Sequence, residues 1–277
     1  MKRKKMRLMA VLMAILMLLP VQPVQAATSY VMGNSESGVI TAGSYQVKLS
    51  GNKLYARRKK SGGWKKIASS GSNIGCFTTN GGTVYYATSS YSYITSGGKS
   101  QVYSVPVKGG SSKRIVTINN KGISNIYRYK DKLYLTERYG KSGSDLYSYS
   151  LKNKKHRKVS SRKVLYDAWQ RYGIVTNGRY YKWATPLYSM NLSTGRTRKL
   201  TSYSYGHITS GNYVYYISYF SGISADKQSG SFVIKRATVS GNSIKTLTKT
   251  LVGKNPRISG NYVVYDYNGS MKKVRFK

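Results

Sequence analysis

A short turn followed by a tyrosine-rich apolar run recurs along the chain, and this repeat restricts the fold more than any other feature of the sequence. Its clearest copies read Gly-Asn-Tyr-Val-Tyr-Tyr at residues 211–216 and Gly-Asn-Tyr-Val-Val-Tyr at residues 260–265. Further copies occupy residues 51–55, 82–86 and 131–135, with a weaker one at 171–175. The anchors Leu54, Val84, Leu133, Ile174, Val214 and Val263 are spaced by about 42 residues on average, a period that predicts a repeat architecture.

A second segment follows the first in several units and alternates apolar with polar residues. Residues 101–107, 145–151 and 186–192 align without gaps around a shared Tyr-Ser pair, and their period of two predicts strands with one buried face. A short polar turn then leads into a basic strand at residues 113–116, 157–159 and 198–200. Residues 240–245 repeat that turn and strand in the fifth unit.

These segments, with a lead-in strand such as residues 205–210, give four strands per unit, and no helical period is seen after residue 27. The pattern predicts an all-β fold, a six-bladed β-propeller of four-stranded antiparallel blades over residues 27–277. The last unit ends early, and we expect residues 39–49 to supply its missing strand. Two alternatives stay open: a solenoid of cell-wall-binding repeats, which would have about half this period, and a five-plus-one arrangement, because residues 162–201 match the repeat poorly.

The first 26 residues are predicted to be a cleaved signal peptide rather than part of the fold. Five cations lie within residues 1–7, an apolar run fills 8–19, and small residues precede a cleavage site before Ala27. The apolar run is too short to cross a bilayer of roughly 30 Å, although a short uncut anchor is the alternative. We therefore expect a secreted protein, extracellular or associated with the cell wall, with no transmembrane segment after cleavage.

The blade pattern resembles a known group of proteins. Gly-Asn-Tyr-Val-Tyr-Tyr, Leu-Tyr-Ser-Met-Asn-Leu-Ser-Thr-Gly and Arg-Lys-Leu-Thr are similar to the blades of six-bladed propellers of the YWTD and TolB-like type, and to secreted Gram-positive propeller domains of unassigned function. The resemblance implies a fold rather than a chemistry. The Trp-Thr-Asp strand of the receptor type is missing, so receptor ligand residues cannot be transferred.

The predicted ligand-binding site is a rim of long loops between the second and third strands of three blades, at residues 87–100, 136–144 and 218–231. Their side chains are aromatic or cationic and could stack on sugar rings or pair with anions: Tyr91, Tyr93, Lys99, Arg138, Tyr139, Lys141, Tyr219, Phe220 and Lys227. His207 is expected near the channel mouth. His156 is expected to be a solvated turn residue on the opposite face.

The charge of the chain indicates an anionic partner. There are 47 Lys and Arg residues against 7 Asp and Glu, a formal net charge of +40. Such a field attracts polyanions in a salt-dependent way. For a secreted protein this favours an anionic cell-wall polymer or an acidic polysaccharide over nucleic acid, with a protein partner as an alternative. Cations on the outer strands could also guard those edges against pairing with other sheets.

The composition favours a binding protein over an enzyme, without deciding the matter. The seven acids are predicted to be scattered through different blades, which argues against a hydrolase pair. Neither a metal site nor a cofactor is expected, since one Cys and two His offer few ligands. A lyase acting on acidic polysaccharide is the catalytic alternative, and an assembly partner in a secreted complex is the third. Clustering of His207 with Tyr and Arg would favour the lyase.

Overall fold

The computed structural model describes residues 31–34, 38–59, 61–92, 97–140, 143–177, 185–224 and 229–277. All regular elements in this part of the chain are strands, which pair antiparallel in five sheets. No helix within these ranges is long and apolar enough to cross a membrane. The predicted signal peptide and three of the predicted rim residues, Tyr93, Lys141 and Lys227, lie outside the described residues.

The first half of the chain forms sheets 1 and 2, preceded by one short strand. Strand β1 (Val31–Asn34) comes first. Sheet 1 consists of β2 (Val39–Ala42), β3 (Tyr45–Ser50), β4 (Lys53–Arg58) and β5 (Lys65–Ser69). Sheet 2 consists of β6 (Asn73–Thr79), β7 (Thr83–Ser89), β8 (Lys99–Pro106) and β9 (Lys113–Asn119), with β1 added beside β6.

The second half forms sheets 3 to 5. Sheet 3 consists of β10 (Gly122–Tyr129), β11 (Lys132–Tyr139), β12 (Gly143–Ser150) and β13 (His156–Ser160). Sheet 4 consists of β14 (Lys163–Trp169), β15 (Tyr172–Asn177), β16 (Thr185–Asn191) and β17 (Thr197–Ser204). Sheet 5 is seven-stranded and consists of β18 (His207–Ser210), β19 (Tyr213–Ser224), β20 (Ser229–Thr238), β21 (Lys245–Thr246), β22 (Leu251–Ser259), β23 (Tyr262–Tyr267) and β24 (Ser270–Arg275).

Each sheet packs face to face against the next, as the blades of a propeller do. One buried apolar cluster joins sheets 1 and 2, with Val47 and Phe77 among its members. Equivalent clusters join sheet 2 to 3, sheet 3 to 4 and sheet 4 to 5. Strands covered on both faces read as continuous apolar runs, which explains why the tyrosine-rich segments do not alternate.

The tyrosine-rich segments all form strands as predicted, but the one in the first unit occupies a different position. Leu54 lies on β4, the third strand of sheet 1, whereas Val84 and Leu133 lie on the second strands of their sheets. Residues 39–49 contribute the first two strands of sheet 1, so the expectation that they complete the last unit is wrong. Residues 51–55 were assigned to a second strand because Gly51 and Asn52 are the same turn residues that precede the second strand in other units.

The last two repeat units share strand β22. Residues Leu251 to Lys254 pair with β20, where they continue the outer edge begun by the short β21. From Lys254 onward β22 pairs with β23, with a register shift between Lys254 and Arg257. Six repeat units are therefore distributed over five sheets.

Candidate binding site

Two of the three predicted rim loops meet at the end of the sheets that carries the connections from second to third strands, which we call the rim. The backbone N–H of Gly140 donates a hydrogen bond to the hydroxyl oxygen of Tyr91 at 2.8 Å, which joins sheet 3 to sheet 2. These loops are shorter than predicted, because β11 continues to Tyr139 and β12 begins at Gly143. The predicted loop at 218–231 is largely the extended hairpin of β19 and β20.

Burial separates the predicted rim residues into two groups. Tyr219 is 3% exposed and packs against Phe232 with ring centroids 5.6 Å apart, and Tyr91 is 9% exposed. Neither ring can act as the exposed stacking platform that the sequence predicted. Tyr139 and Phe220 are exposed, and Tyr139 donates a hydrogen bond to Asp145 Oδ1 at 3.3 Å. Lys99 is exposed at the start of β8, and Arg138 is half-buried on β11.

A buried pair of acids lies directly below this part of the rim. Glu137 on β11 and Asp145 on β12 are cross-strand partners in sheet 3, and both side chains are buried. The expectation that the acids are scattered through different blades is therefore wrong for these two. Sequence alone could not pair them, because the pairing depends on the register of the two strands.

Cations neutralise both acids. Glu137 Oε2 lies 2.9 Å from Lys121 Nζ, and its Oε1 lies 2.5 Å from His156 Nε2. His156 also stacks on Tyr147 with centroids 4.7 Å apart, so its predicted role as a merely solvated turn residue is wrong. Lys158 Nζ lies 2.8 Å from Asp145 Oδ2. This arrangement keeps negative charge inside the molecule and balanced by internal contacts.

The pKa values in this cluster follow from its contacts. Burial opposes ionisation of Asp145, but the hydrogen bonds from Lys158 and from the backbone N–H of Arg162 outweigh it, so the pKa of Asp145 is lowered. Burial alone would lower the pKa of Lys121, yet its hydrogen bonds with Glu137 and Tyr147 raise that pKa above its ordinary value. Both groups are therefore held in their charged forms at neutral pH.

A second candidate site is a central cavity of about 180 Å³ between the inner strands. Three inner strands carry a β-bulge there, and the residue after each bulge, Cys76, Asn125 or Asp167, lines the cavity. Bulges re-aim side chains and are frequent beside functional sites. Burial raises the pKa of the Cys76 thiol to about 12, so this group is not a thiolate nucleophile.

Strand β1 occupies one side of the central cavity. It pairs with β6 from Val31 opposite Thr79 to Asn34 opposite Cys76, and it contacts inner strands of the neighbouring sheets. A Cβ added at Gly33 would lie 2.5 Å from Cζ of Phe77, so only glycine fits at this position. Sequence patterns did not predict this strand, because its partner belongs to another repeat unit.

His207, which was expected near the channel mouth, lies beside Tyr166, a residue that lines the central cavity. The rings of His207 and Tyr166 meet edge to face with centroids 6.0 Å apart. Burial lowers the pKa of His207, and the Asp167 carboxylate partly counters that shift. Among the described residues, no three His, Cys, Asp or Glu side chains are grouped so that they could hold a metal ion.

The outermost strands carry a repeated pair of cations, of which the sequence pattern revealed only a part. Four consecutive sheets each have two adjacent cations followed by an apolar residue on this strand: Lys65-Lys66-Ile67, Lys113-Arg114-Ile115, Arg157-Lys158-Val159 and Arg198-Lys199-Leu200. In every case the register shifts at the apolar residue. The predicted concentration of Lys and Arg on the fourth strands is therefore confirmed.

The second cation of each set lies directly opposite a tyrosine of the third strand. The pairs are Tyr55 with Lys66, Tyr103 with Arg114, Tyr147 with Lys158 and Tyr188 with Lys199. The sequence separation is the same in all four pairs, and this constant spacing is the signal that could have identified the units. Because Leu54 directly precedes Tyr55, the same spacing assigns Leu54 to the third strand of its sheet.

Comparison with known proteins identifies the fold. Neither a model of a known protein family nor a curated protein sequence matches the chain. A putative TolB from Agrobacterium tumefaciens is 15% identical with a TM-score of 0.50, and the match covers 82% of this chain and 90% of that one. An oligogalacturonate lyase in complex with manganese is 10% identical with a TM-score of 0.56, covering 87% of this chain and 76% of that one.

A third solved structure, an acylaminoacyl peptidase from Pyrococcus horikoshii, is 12% identical with a TM-score of 0.52, and the match covers 89% of this chain but 46% of the peptidase. Identities this low show the fold and carry no residue roles. The chain therefore has a β-propeller fold, which it shares with the putative TolB and with the two enzymes.

Proposed function

We propose that the chain is a secreted, non-catalytic six-bladed β-propeller that binds an anionic polymer of the cell envelope. The observation that carries this proposal is the separation of charge between the interior and the surface. Glu137 and Asp145 are buried against cations, whereas most of the outer-strand cations are exposed. The surface field is therefore strongly positive and attracts polyanions.

The number of blades and the export of the protein are inferred from the sequence. Counting the seven-stranded sheet as two blades that share β22 gives six blades, in agreement with the six repeat units. The charged, apolar and small-residue regions of residues 1–26 support export. Outside a Gram-positive cell the abundant polyanions are teichoic acids, peptidoglycan carboxylates and acidic polysaccharides.

The surroundings of His207 favour binding over catalysis. A lyase acting on an acidic polysaccharide would need a cation beside its base to neutralise the uronate carboxylate. The ring of His207 contacts Tyr166, and the group that acts on it electrostatically is the Asp167 carboxylate, which would repel a uronate. This cavity is therefore poorly suited to the alternative function of a polysaccharide lyase.

The test is a pull-down of the purified protein on Gram-positive cell walls, with and without teichoic acid, across a salt series. Binding that needs the polymer and falls steeply as salt rises supports the proposal, because each neutralised anion releases a counterion. Neutral dextran serves as the control polymer. Failure to bind any anionic wall or polysaccharide at low salt contradicts the proposal, and shortening of the polymer during the assay would indicate a lyase.

A further inference from the structure

The four sets of cations on the outermost strands are copies of one structural unit. We define an outer-strand unit as the two adjacent cations of a sheet together with the tyrosine opposite the second cation, in sheets 1 to 4. Each unit has the same register, and each is followed by the same register shift. The four tyrosines are all half-buried, while Lys66, Arg114 and Lys199 beside them are exposed.

Neighbouring units are joined through backbone and side-chain contacts. Lys65 Nζ of sheet 1 donates a hydrogen bond to the carbonyl oxygen of Lys108, in the turn before the outermost strand of sheet 2, at 3.3 Å. Tyr149 of sheet 3 donates a hydrogen bond to the carbonyl oxygen of Ile115 in sheet 2 at 3.2 Å. The turn before the outermost strand of sheet 4 approaches sheet 3 closely, because a Cβ added at Gly195 in that turn would lie 2.7 Å from the carbonyl oxygen of Val159. The units therefore follow one another along the outside of the molecule.

The outer-strand units lie at the opposite end of the sheets from the rim. Each begins where the third strand turns into the outermost strand, as at Pro106 and Lys113, whereas Ser89 and Lys99 flank a rim loop. The densest repeated cation pattern of the described chain is thus separate from the predicted loop site.

We infer that the outer-strand units of sheets 1 to 4 form a continuous track for a linear polyanion that crosses several sheets. This inference rests on the proposed function and specifies the surface that performs it. A cation pair repeated in the same register on four consecutive sheets suits a polymer that carries repeated phosphates or carboxylates. Because consecutive units would engage one chain, affinity depends on polymer length through effective concentration.

Protection of exposed sheet edges is the competing explanation for these cations. Charged side chains do discourage edge-to-edge pairing. Edge protection, however, requires only charge, and it does not explain a fixed tyrosine opposite the second cation in four sheets. A ligand that contacts each sheet in the same way does explain that repeat.

The test compares two variants that lose the same charge. The track variant carries Lys66→Gln, Lys113→Gln, Arg114→Gln and Lys199→Gln. The rim variant carries Lys53→Gln, Lys99→Gln, Arg162→Gln and Lys272→Gln. All eight side chains are exposed, and the second set lies at the rim end of the sheets. The probes are inorganic triphosphate and long-chain polyphosphate, with binding measured by titration calorimetry over a salt series.

We expect wild-type protein to bind long-chain polyphosphate far more tightly than triphosphate. The track variant should lose affinity for the long chain on the order of tenfold, and the slope of log affinity against log salt should fall by about 3. The rim variant should change by less than about threefold. A third variant, with Lys66→Arg, Lys113→Arg and Lys199→Arg, keeps the charge and should bind as wild type.

Three outcomes overturn the inference while leaving the proposed function standing. Equal losses in the two glutamine variants would mean that net charge alone matters, and a larger loss in the rim variant would place binding at the loops. A track variant that aggregates while its monomer binds normally would assign the cations to edge protection. Absence of wild-type binding to any polyanion would instead contradict the proposed function itself.

Discussion

His156 Nε2 on β13 lies 2.5 Å from Glu137 Oε1 on β11, although strand β12 separates the two residues in the sheet. The other carboxylate oxygen of Glu137 binds Lys121, which precedes β10. One fully buried carboxylate thus ties the outermost strand of sheet 3 to the connection that enters this sheet from sheet 2.

Replacing Glu137 with Gln should destabilise the protein, because Lys121 and His156 would lose their shared anion. We expect the free energy of unfolding in urea to fall by about 2 kcal/mol. Asp131→Asn is the matched control, since Asp131 is an exposed acid in the turn before β11 and should change stability by less than about 0.5 kcal/mol. Equal effects of the two substitutions would contradict a structural role for the Glu137 contacts.

Asp145 should make stability depend on pH in the acidic range. Its pKa is lower in the folded state than the unfolded value of about 3.9, so its contribution is present above that pH and is lost as pH falls through the folded pKa. The urea midpoint measured below about pH 4 should therefore fall less steeply in Asp145→Asn than in the wild type. Parallel pH profiles for the two proteins would contradict this assignment.

His207 should titrate below its ordinary pKa of about 6.5, because burial disfavours its charged form. Its stabilising contribution is therefore present above about pH 6.5 and is lost as pH falls through the folded pKa. Asp167→Asn should lower the pKa of His207 further, because the carboxylate favours the cation. An NMR titration can follow this, with His207→Gln used to distinguish the two histidines of the chain. A midpoint at or above the ordinary value would refute the prediction.

Gly33→Ala should displace β1 from the central cavity, since the new methyl group would collide with the ring of Phe77. We expect a loss of about 1–3 kcal/mol in stability. Cys76 lies opposite Asn34 in the same strand pair, so its reaction with a thiol reagent should also become faster. Adding Phe77→Leu removes the ring that collides with the new methyl group, so the double variant should react more slowly than Gly33→Ala. Phe77→Leu alone is the reference. Unchanged thiol reactivity in Gly33→Ala would show that β1 does not shield this residue.

Local patterns predicted the strands and the basic outer edges, because turn chemistry and alternation are properties of neighbouring residues. They did not predict features that depend on register. The pairing of Glu137 with Asp145 requires β11 and β12 to align at one residue. Tyr219 was expected on a loop. It lies on a strand instead, because the hairpin of β19 and β20 extends beyond the length of the repeated segment. Strand β1 has no partner in its own unit, so no local pattern could place it.

The position of β1 also has a consequence for the order of folding. This strand is synthesised before all the sheets, yet Met32 packs against a cluster that contains Tyr127 of sheet 3 and Leu165 of sheet 4. Its docking must await those much later residues, and contacts between distant parts of a chain form slowly. The earliest of the described strands should therefore be among the last to reach its native place, closing a molecule whose sheets have otherwise already assembled.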